Sequence, residues 1–363
     1  MNILMIKLSA IGDVVHTLPS LSALRRLYPE AHITWVIEEA AADLITGHPH
    51  LNRVLVSRRK LWLKDMRAGS FRKSLTEIRS LLADLRSRPY DVVIDFHGLF
   101  KSALLAGLSG GIRKLGYASM QEGSGLFYNE KIPEDMNKHA VDRYLDFIVH
   151  LGEKGRLSPP AAPPEFLIPW TDDNLRNVTS LFKERRLDIA RPFVAMNPVA
   201  LWDTKLWRPD SFALLADRIV GELGLPVVIT GSAQERPYIA VLRQQTKAAP
   251  ILDLSGRTTL KDLACLYRRA ALVVTTDSGP MHIAAAVGTP VVALFGPTDP
   301  RRTGPYGAQH LVVRKEMACS PCFRKKCPTR ACMEEISGEE VWEGVKERLE
   351  RGRDGGKDTG SFT

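Results

Sequence analysis

Short apolar runs alternate with helix-length stretches along this chain, and the whole alternation occurs twice. In the first half "NILMI" after Met1, "ITWVI" (Ile33–Ile37), Val54–Val56 and "YDVVIDF" (Tyr90–Phe96) are the apolar runs. Helical spacing marks Leu18 to Tyr28, about Lys60 to Ser87, and Leu99 to Leu108. In the second half "FVAMNP", "PVVITGS", "ILDLSG", "LVVTTDSG" and "PVVALFGP" are interleaved with "SFALLADRIVGEL", a stretch to about Lys247, "TLKDLACLYRRA" and "PMHIAAAVG". Runs this short and this apolar read as strands covered on both faces, and strands joined through helices lie parallel. The pattern predicts an α/β protein with two doubly wound sheets.

Between the halves, "RLSPPAAPPEFLIPW" (Arg156–Trp170) holds five prolines. Such a stretch cannot be a helix interior and reads as an extended connector. The expected division is a first domain over residues 1–158, a linker over 159–170, and a second domain over 171–338. A last helix and a polar, Gly-rich, disordered tail fill 339–363. Ligands of such sheets bind at the carboxyl ends of the strands. The marked turns all sit there: Ser9–Asp13, Asp95–Gly98, Asn197–Lys205, Gly231–Glu235, Asp277–Gly279 and Gly296–Asp299.

The 363 residues carry 50 basic and 41 acidic side chains, a net charge of +9, with basic clusters at Arg58-Arg59-Lys60, Lys64, Arg67, Arg72-Lys73 and Arg324-Lys325-Lys326. That balance suits a phosphorylated substrate or an anionic membrane face. No zinc-finger, RRM or KH signature accompanies it, which argues against nucleic acid. Neither G-x-G-x-x-G nor a Walker A motif is present, so NAD and P-loop chemistry are unsupported. No uncharged apolar run reaches membrane-spanning length, and the chain opens directly on a strand pattern without leader features, so a cytoplasmic protein is expected.

Five cysteines are present. Cys265 falls in a helical pattern and reads as core. Cys319, Cys322, Cys327 and Cys332 form C-x2-C-x4-C-x4-C, which is not a zinc-ribbon spacing. A structural metal or redox-sensitive loop and four ordinary thiols are equally compatible with it, and no catalytic role is expected.

Two turns invite chemistry. In "KLSAIGDVVHTLPSL" (Lys7–Leu21) a carboxylate, Asp13, follows Gly12 just after a buried strand; helix capping is the plainer use of it. In "TTDSGPMHIAAA" (Thr275–Ala286) a strand ends at Asp277, Ser278-Gly279 turn the chain, and Pro280 opens a helix whose free N–H groups suit a phosphate.

The ordered set "K-x-S-x-x-G-D-V-x-H-T-L-P", "D-x-x-G-L-x-K-S" (Asp95–Ser102), "D-S-G-x-x-H-x-A-A" (Asp277–Ala285) and "F-G-P-T-D-P" (Phe295–Pro300) resembles glycosyltransferase family 9, the lipopolysaccharide heptosyltransferases, and within it the type I enzymes. The cysteine segment is more typical of other members, type II-like chains included, which leaves the acceptor open. The resemblance implies a GT-B fold, two Rossmann-like domains facing a central cleft, and inverting transfer of heptose from ADP-heptose to a Kdo-lipid A type acceptor. It carries the catalytic base onto Asp13 and donor binding onto Lys205, Glu235, Asp277, Ser278, Gly279 and His282. Given an anionic acceptor, Lys7, Ser9, Gly12, His16, Arg59, Lys60, Lys64, Lys101, His139 and Arg143 are the expected acceptor-side residues. No obligatory cofactor or metal is expected, and the place of work is the inner face of the inner membrane. The rival expectations are a sugar-nucleotide epimerase or another GT-B hydrolase, and a non-catalytic nucleotide-binding membrane adaptor.

Overall fold

A computed structural model describes residues 1–119, 121–155, 163–248 and 250–355. The chain divides into two units, Met1–Pro169 and Trp170–Thr363. The first holds β1 (Asn2–Ile6), β2 (His32–Glu38), β3 (Arg53–Ser57), β4 (Val92–Asp95), β5 (Arg113–Tyr117) and β6 (Glu130–Ile132), in the order β3-β2-β1-β4-β5-β6. The second holds β7 (Val194–Asn197), β8 (Val227–Ile229), β9 (Ile251–Asp253), β10 (Leu272–Thr276), β11 (Val291–Phe295) and β12 (Leu311–Arg314), in the order β12-β11-β10-β7-β8-β9. Counted from each unit's own first strand, the two orders are the same. Every pairing is parallel. Both sheets have the doubly wound order that places a ligand where the chain direction switches, beside the first strand.

Burial explains why the central strands were readable. Ile3 to Ile6 on β1 and Val291 to Phe295 on β11 are without solvent exposure, as strands covered by helices on both faces must be. Register then fixes the site: Ile6 lies opposite Val36 on one side and Asp95 on the other. In the second sheet Thr275 lies opposite Asn197.

Several elements differ from the sequence expectation. Strands β5 and β6 carry no apolar run, and the short Leu311–Val313 run of β12 stands outside the strands expected from the pattern. "RKLGY" opens on two cations, β6 has only three residues, and β12 is a half-buried edge. Gly116 on β5 is set by close approach, since a Cβ there would stand 2.2 Å from the Tyr128 ring. The basic stretch expected as one helix is two, Arg59–Arg67 and Phe71–Arg86, parted where Gly69 takes φ +85°. The first helix begins at Ile11 rather than Leu18 and runs to Leu27 with Pro19 inside it. Gly12, Asp13 and His16 are therefore helical residues.

The last helix, Gly338–Gly355, belongs to the second unit. Val341, Trp342 and Val345 share a core cluster with Val194 and Phe212. Of the expected linker, residues 163–170 carry no helix or strand. Residues 156–162 and the tail from 356 lie outside the described residues. Among the described residues no helix is long and apolar enough to cross a membrane.

Candidate active site

In the first unit the carboxyl end of β1 gathers a charged network around Asp13. Lys7, one residue past the strand, is buried. Its Nζ donates to the Phe96 carbonyl at 3.0 Å and to the Tyr144 hydroxyl at 2.6 Å, and stands 3.9 Å from Asp13 Oδ1. The Tyr144 hydroxyl in turn donates to Asp13 Oδ1 at 3.3 Å, and the Ala10 N–H donates to Oδ2 at 3.1 Å. Burial lowers the Lys7 ammonium below its usual range, partly offset by the neighbouring Asp13 charge. Burial, reinforced by that same carboxylate, raises the Tyr144 hydroxyl well above its own. Asp13 does cap the helix start, as its plainer reading expects, yet its side chain stays 40% exposed. Capping and proton transfer are thus compatible on one carboxylate, because each oxygen has lone pairs beyond those already used.

The other sequence-selected residues fall around this network or inside the fold. Asp95 is buried. Its Oδ1 accepts the N–H groups of His97 and Gly98, and its Oδ2 accepts the Tyr128 hydroxyl at 2.6 Å. It staples the turn after β4, and burial raises its carboxyl. His97, in that turn, is pushed down to about 3 by burial and by the charges of Lys7 and Lys101. His139 caps the helix Ala140–Lys154, its Nδ1 accepting from the Val141 N–H, and its ring meets His16 edge-on at 5.1 Å. Arg143 is buried against Glu134 at 2.8 Å, the geometry of an internal ion pair. Arg59 and Lys101 converge on the buried carboxylate of Glu38, at 3.2 and 3.4 Å. Lys60 and Lys64 are exposed, Ser9 is half-buried, and Gly12 is buried. The motif reasoning missed Tyr144 and Glu38. Neither sits in a glycine-marked turn, and only the fold brings them to Asp13 and to Arg59.

In the second unit the ends of β7, β10 and β11 meet at Asp277. Lys205 Nζ is 2.6 Å from Asp277 Oδ2, and the Thr298 hydroxyl donates to the same oxygen at 2.5 Å. Lys205 also lies 4.6 Å above the Trp202 ring. A carboxylate so engaged orients the lysine, and does not itself approach a phosphate. Ser278 is the N-cap of the helix Gly279–Ala286, but its hydroxyl makes no capping bond. It lies 3.2 Å from the Thr275 hydroxyl and 3.5 Å from Asn197 Oδ1 instead. The first-turn N–H groups thus gain nothing from the cap side chain, and with the helix dipole they favour an anion. His282 is buried in that first turn. Glu235 Oε2 accepts the Ser232 N–H at 2.6 Å in the turn after β8.

All five cysteines are free thiols; Cys265 and Cys332 are buried, Cys319 and Cys327 exposed. Among the described residues no three His, Cys, Asp or Glu side chains stand together in a way that would hold a metal ion.

Two units that share one sheet order, a half-exposed carboxylate held by a buried lysine in the first and a lysine beside a helix N-terminus in the second, fit a glycosyltransferase of GT-B fold. The solved heptosyltransferase WaaC of Escherichia coli, with ADP, shares that fold at a TM-score of 0.74 and 24% identity, over 96% of this chain and 100% of that one. The family profile of glycosyltransferase family 9 (heptosyltransferase) matches residues 78–332, and the chain belongs to that family. It is 29% identical over 337 residues to lipopolysaccharide heptosyltransferase 1 of Pseudomonas aeruginosa, covering 90% of this chain and 87% of the relative. It is 28% identical over 297 residues to lipopolysaccharide heptosyltransferase 3 of Escherichia coli K12, covering 79% and 80%.

Proposed function

We propose that the chain transfers heptose from ADP-heptose to the inner core of a lipopolysaccharide precursor, with inversion, using Asp13 as general base. The observation that carries this reading is the Asp13 carboxylate: fixed by Tyr144 and Ala10, beside buried Lys7, and still open to solvent. An acceptor hydroxyl oxygen attacks the anomeric carbon as its proton passes to Asp13. The bond from that carbon to the diphosphate breaks, and ADP departs with the electron pair. The charge growing on the leaving group is met by Lys205 and by the first turn of the helix Gly279–Ala286. Fixed cations and N–H donors do this without a metal. Donor identity is supported by the solved relative with ADP and by the heptosyltransferase relatives.

The acceptor side falls to the first unit, where Lys60 and Lys64 are exposed and Arg59 and Lys101 are preset on Glu38. Kdo carboxylates and lipid A phosphates suit these cations. On the helices Arg59–Arg67 and Phe71–Arg86, exposed Leu63, Phe71 and Leu75 accompany the cations, which suits peripheral binding to an anionic membrane. A type III acceptor is the second reading, because the type 3 relative aligns over four-fifths of its own length. The test is incubation with ADP-heptose and Kdo2-lipid A, and separately with the heptosylated core, following product mass. Transfer to Kdo2-lipid A supports a type I acceptor. Transfer to the heptosylated core alone supports the second reading, and consumption of ADP-heptose without either product refutes both.

A further inference from the structure

The four-cysteine segment has no task in this chemistry, yet its contacts tie it to the residues around Lys205. It reaches in two directions. Toward β11, the N–H groups of Cys322 and Phe323 both donate to the Pro297 carbonyl, at 2.9 and 2.8 Å, and the Ser320 hydroxyl donates to the Gly296 carbonyl at 2.6 Å. The next residue, Thr298, holds Asp277. Toward β7, the buried Thr204 hydroxyl donates to the Arg324 carbonyl at 2.8 Å, and the Arg330 guanidinium donates to the Asp203 carbonyl at 3.1 Å. The thiol of Cys327 supports this second tie by accepting the Arg330 N–H at 3.4 Å. The segment is thereby fastened to both turns that meet at Asp277.

These ties string Arg324-Lys325-Lys326 along the turn that bears Lys205. Lys325 Nζ stands 5.2 Å from the centroid of the Trp202 ring, and Lys205 Nζ stands 4.6 Å from the same centroid. Sharing one ring keeps the two ammonium groups within roughly one Debye length, about 10 Å at 0.1 M salt, so each feels the other's charge. Asp277 pairs with Lys205. Lys325 is exposed and, among the described residues, forms no ion pair. Such a pair of cations favours a multiply charged anion that can reach both, which a diphosphate is and a monophosphate is less well suited to be.

We propose that the loop from Met317 to Cys332 is part of the donor site: Lys325 is a second cation for the diphosphate of the sugar nucleotide, and the Thr204–Arg324 tie is the positioning contact that holds the Lys205 turn. The proposal rests on the reading that Lys205 binds the donor diphosphate.

The test is calorimetric titration of the full-length chain with ADP and with AMP over a salt series, for Lys205→Ala, Lys325→Gln, Thr204→Val and Thr204→Ser. Thermal melts confirm folding of each variant. Lys325→Gln is expected to weaken ADP binding roughly three- to tenfold, the range for one charge-assisted contact that is partly screened, to flatten its salt dependence, and to leave AMP almost unchanged. Thr204→Val should weaken ADP binding while keeping the wild-type salt dependence, and Thr204→Ser should restore it. If Lys205→Ala weakens ADP binding but Lys325→Gln does not, the donor reading stands and this proposal falls. If Lys205→Ala also binds ADP normally, the donor reading fails and takes the proposal with it. Should Thr204→Val not fold, exposed Lys325 decides the matter alone.

Discussion

Replacing Tyr144 by Phe removes one oxygen from the centre of the Asp13 network. That oxygen accepts from Lys7 at 2.6 Å and donates to Asp13 at 3.3 Å. The Lys7 side chain is only 4% exposed, so water cannot readily replace the lost acceptor. What remains for the ammonium is the Phe96 carbonyl and a carboxylate at 3.9 Å. A hydrogen bond to a charged group is worth about 1.5–3 kcal/mol. For a unit the size of Met1–Pro169 each kcal/mol moves the melting temperature by about 2–4 °C, so that unit should melt about 3–12 °C lower. Asp13 also loses the group that aims Oδ1, and small misplacements of a reacting group are costly, so kcat should fall roughly 10- to 100-fold. ADP affinity should be unchanged, because the residues assigned to the donor lie in the second unit. Differential scanning calorimetry, steady-state transfer kinetics and ADP titration read the three quantities. A lower melting temperature with wild-type kcat would make Tyr144 purely structural and refute the positioning argument; no change in either would refute the network.

His97 supplies a pH test. Its imidazole is held at about 3 where the unfolded chain takes its proton near 6.5, so the unfolded state binds the proton first and stability falls as pH drops from above 6.5 toward 3. By pH 5 this amounts to about 2 kcal/mol, which His97→Gln should abolish; an equally steep acid loss in that variant removes His97 as the cause. The thiols should react unequally with iodoacetamide. Cys327, lowered by N–H donation from Arg330, leads, while Cys265 and Cys332, raised by burial, come last, and peptide mass mapping that finds Cys332 first contradicts the packing described. Lys60→Gln with Lys64→Gln should raise the acceptor KM and flatten its salt dependence with donor KM unchanged, and wild-type acceptor kinetics across salt would make these two lysines a solvated face.

The sheet centres were legible because strands covered on both faces must be continuously apolar, as at Ile3–Ile6 and Val291–Phe295. The strands nearer the edges were not, since "RKLGY" and "EKI" need no such run. The helix start was misread because Pro19 interrupts the pattern, while the Asp13 carboxylate on the Ala10 N–H secures the helix from Ile11. Carboxylates close to a glycine, such as Asp13 and Asp277, could be found by eye. Their partners could not. Tyr144 reaches Asp13 across 131 positions of sequence, and Thr298 reaches Asp277 across 21, in both cases because the sheet order brings separate strand ends and helices together. The Asp95 motif was visible, but its task as a buried staple of its own turn emerged only from its partners Tyr128, His97 and Gly98.

The base assignment is tested most directly by Asp13→Asn, which keeps the side-chain shape and its capping oxygen while removing the basic carboxylate. With ADP-heptose and Kdo2-lipid A as substrates, the account predicts turnover reduced roughly 100-fold or more, the range for losing a general base, in a protein that still folds and binds ADP as the wild type does. Turnover close to wild type in a folded, ADP-binding Asp13→Asn protein would contradict it.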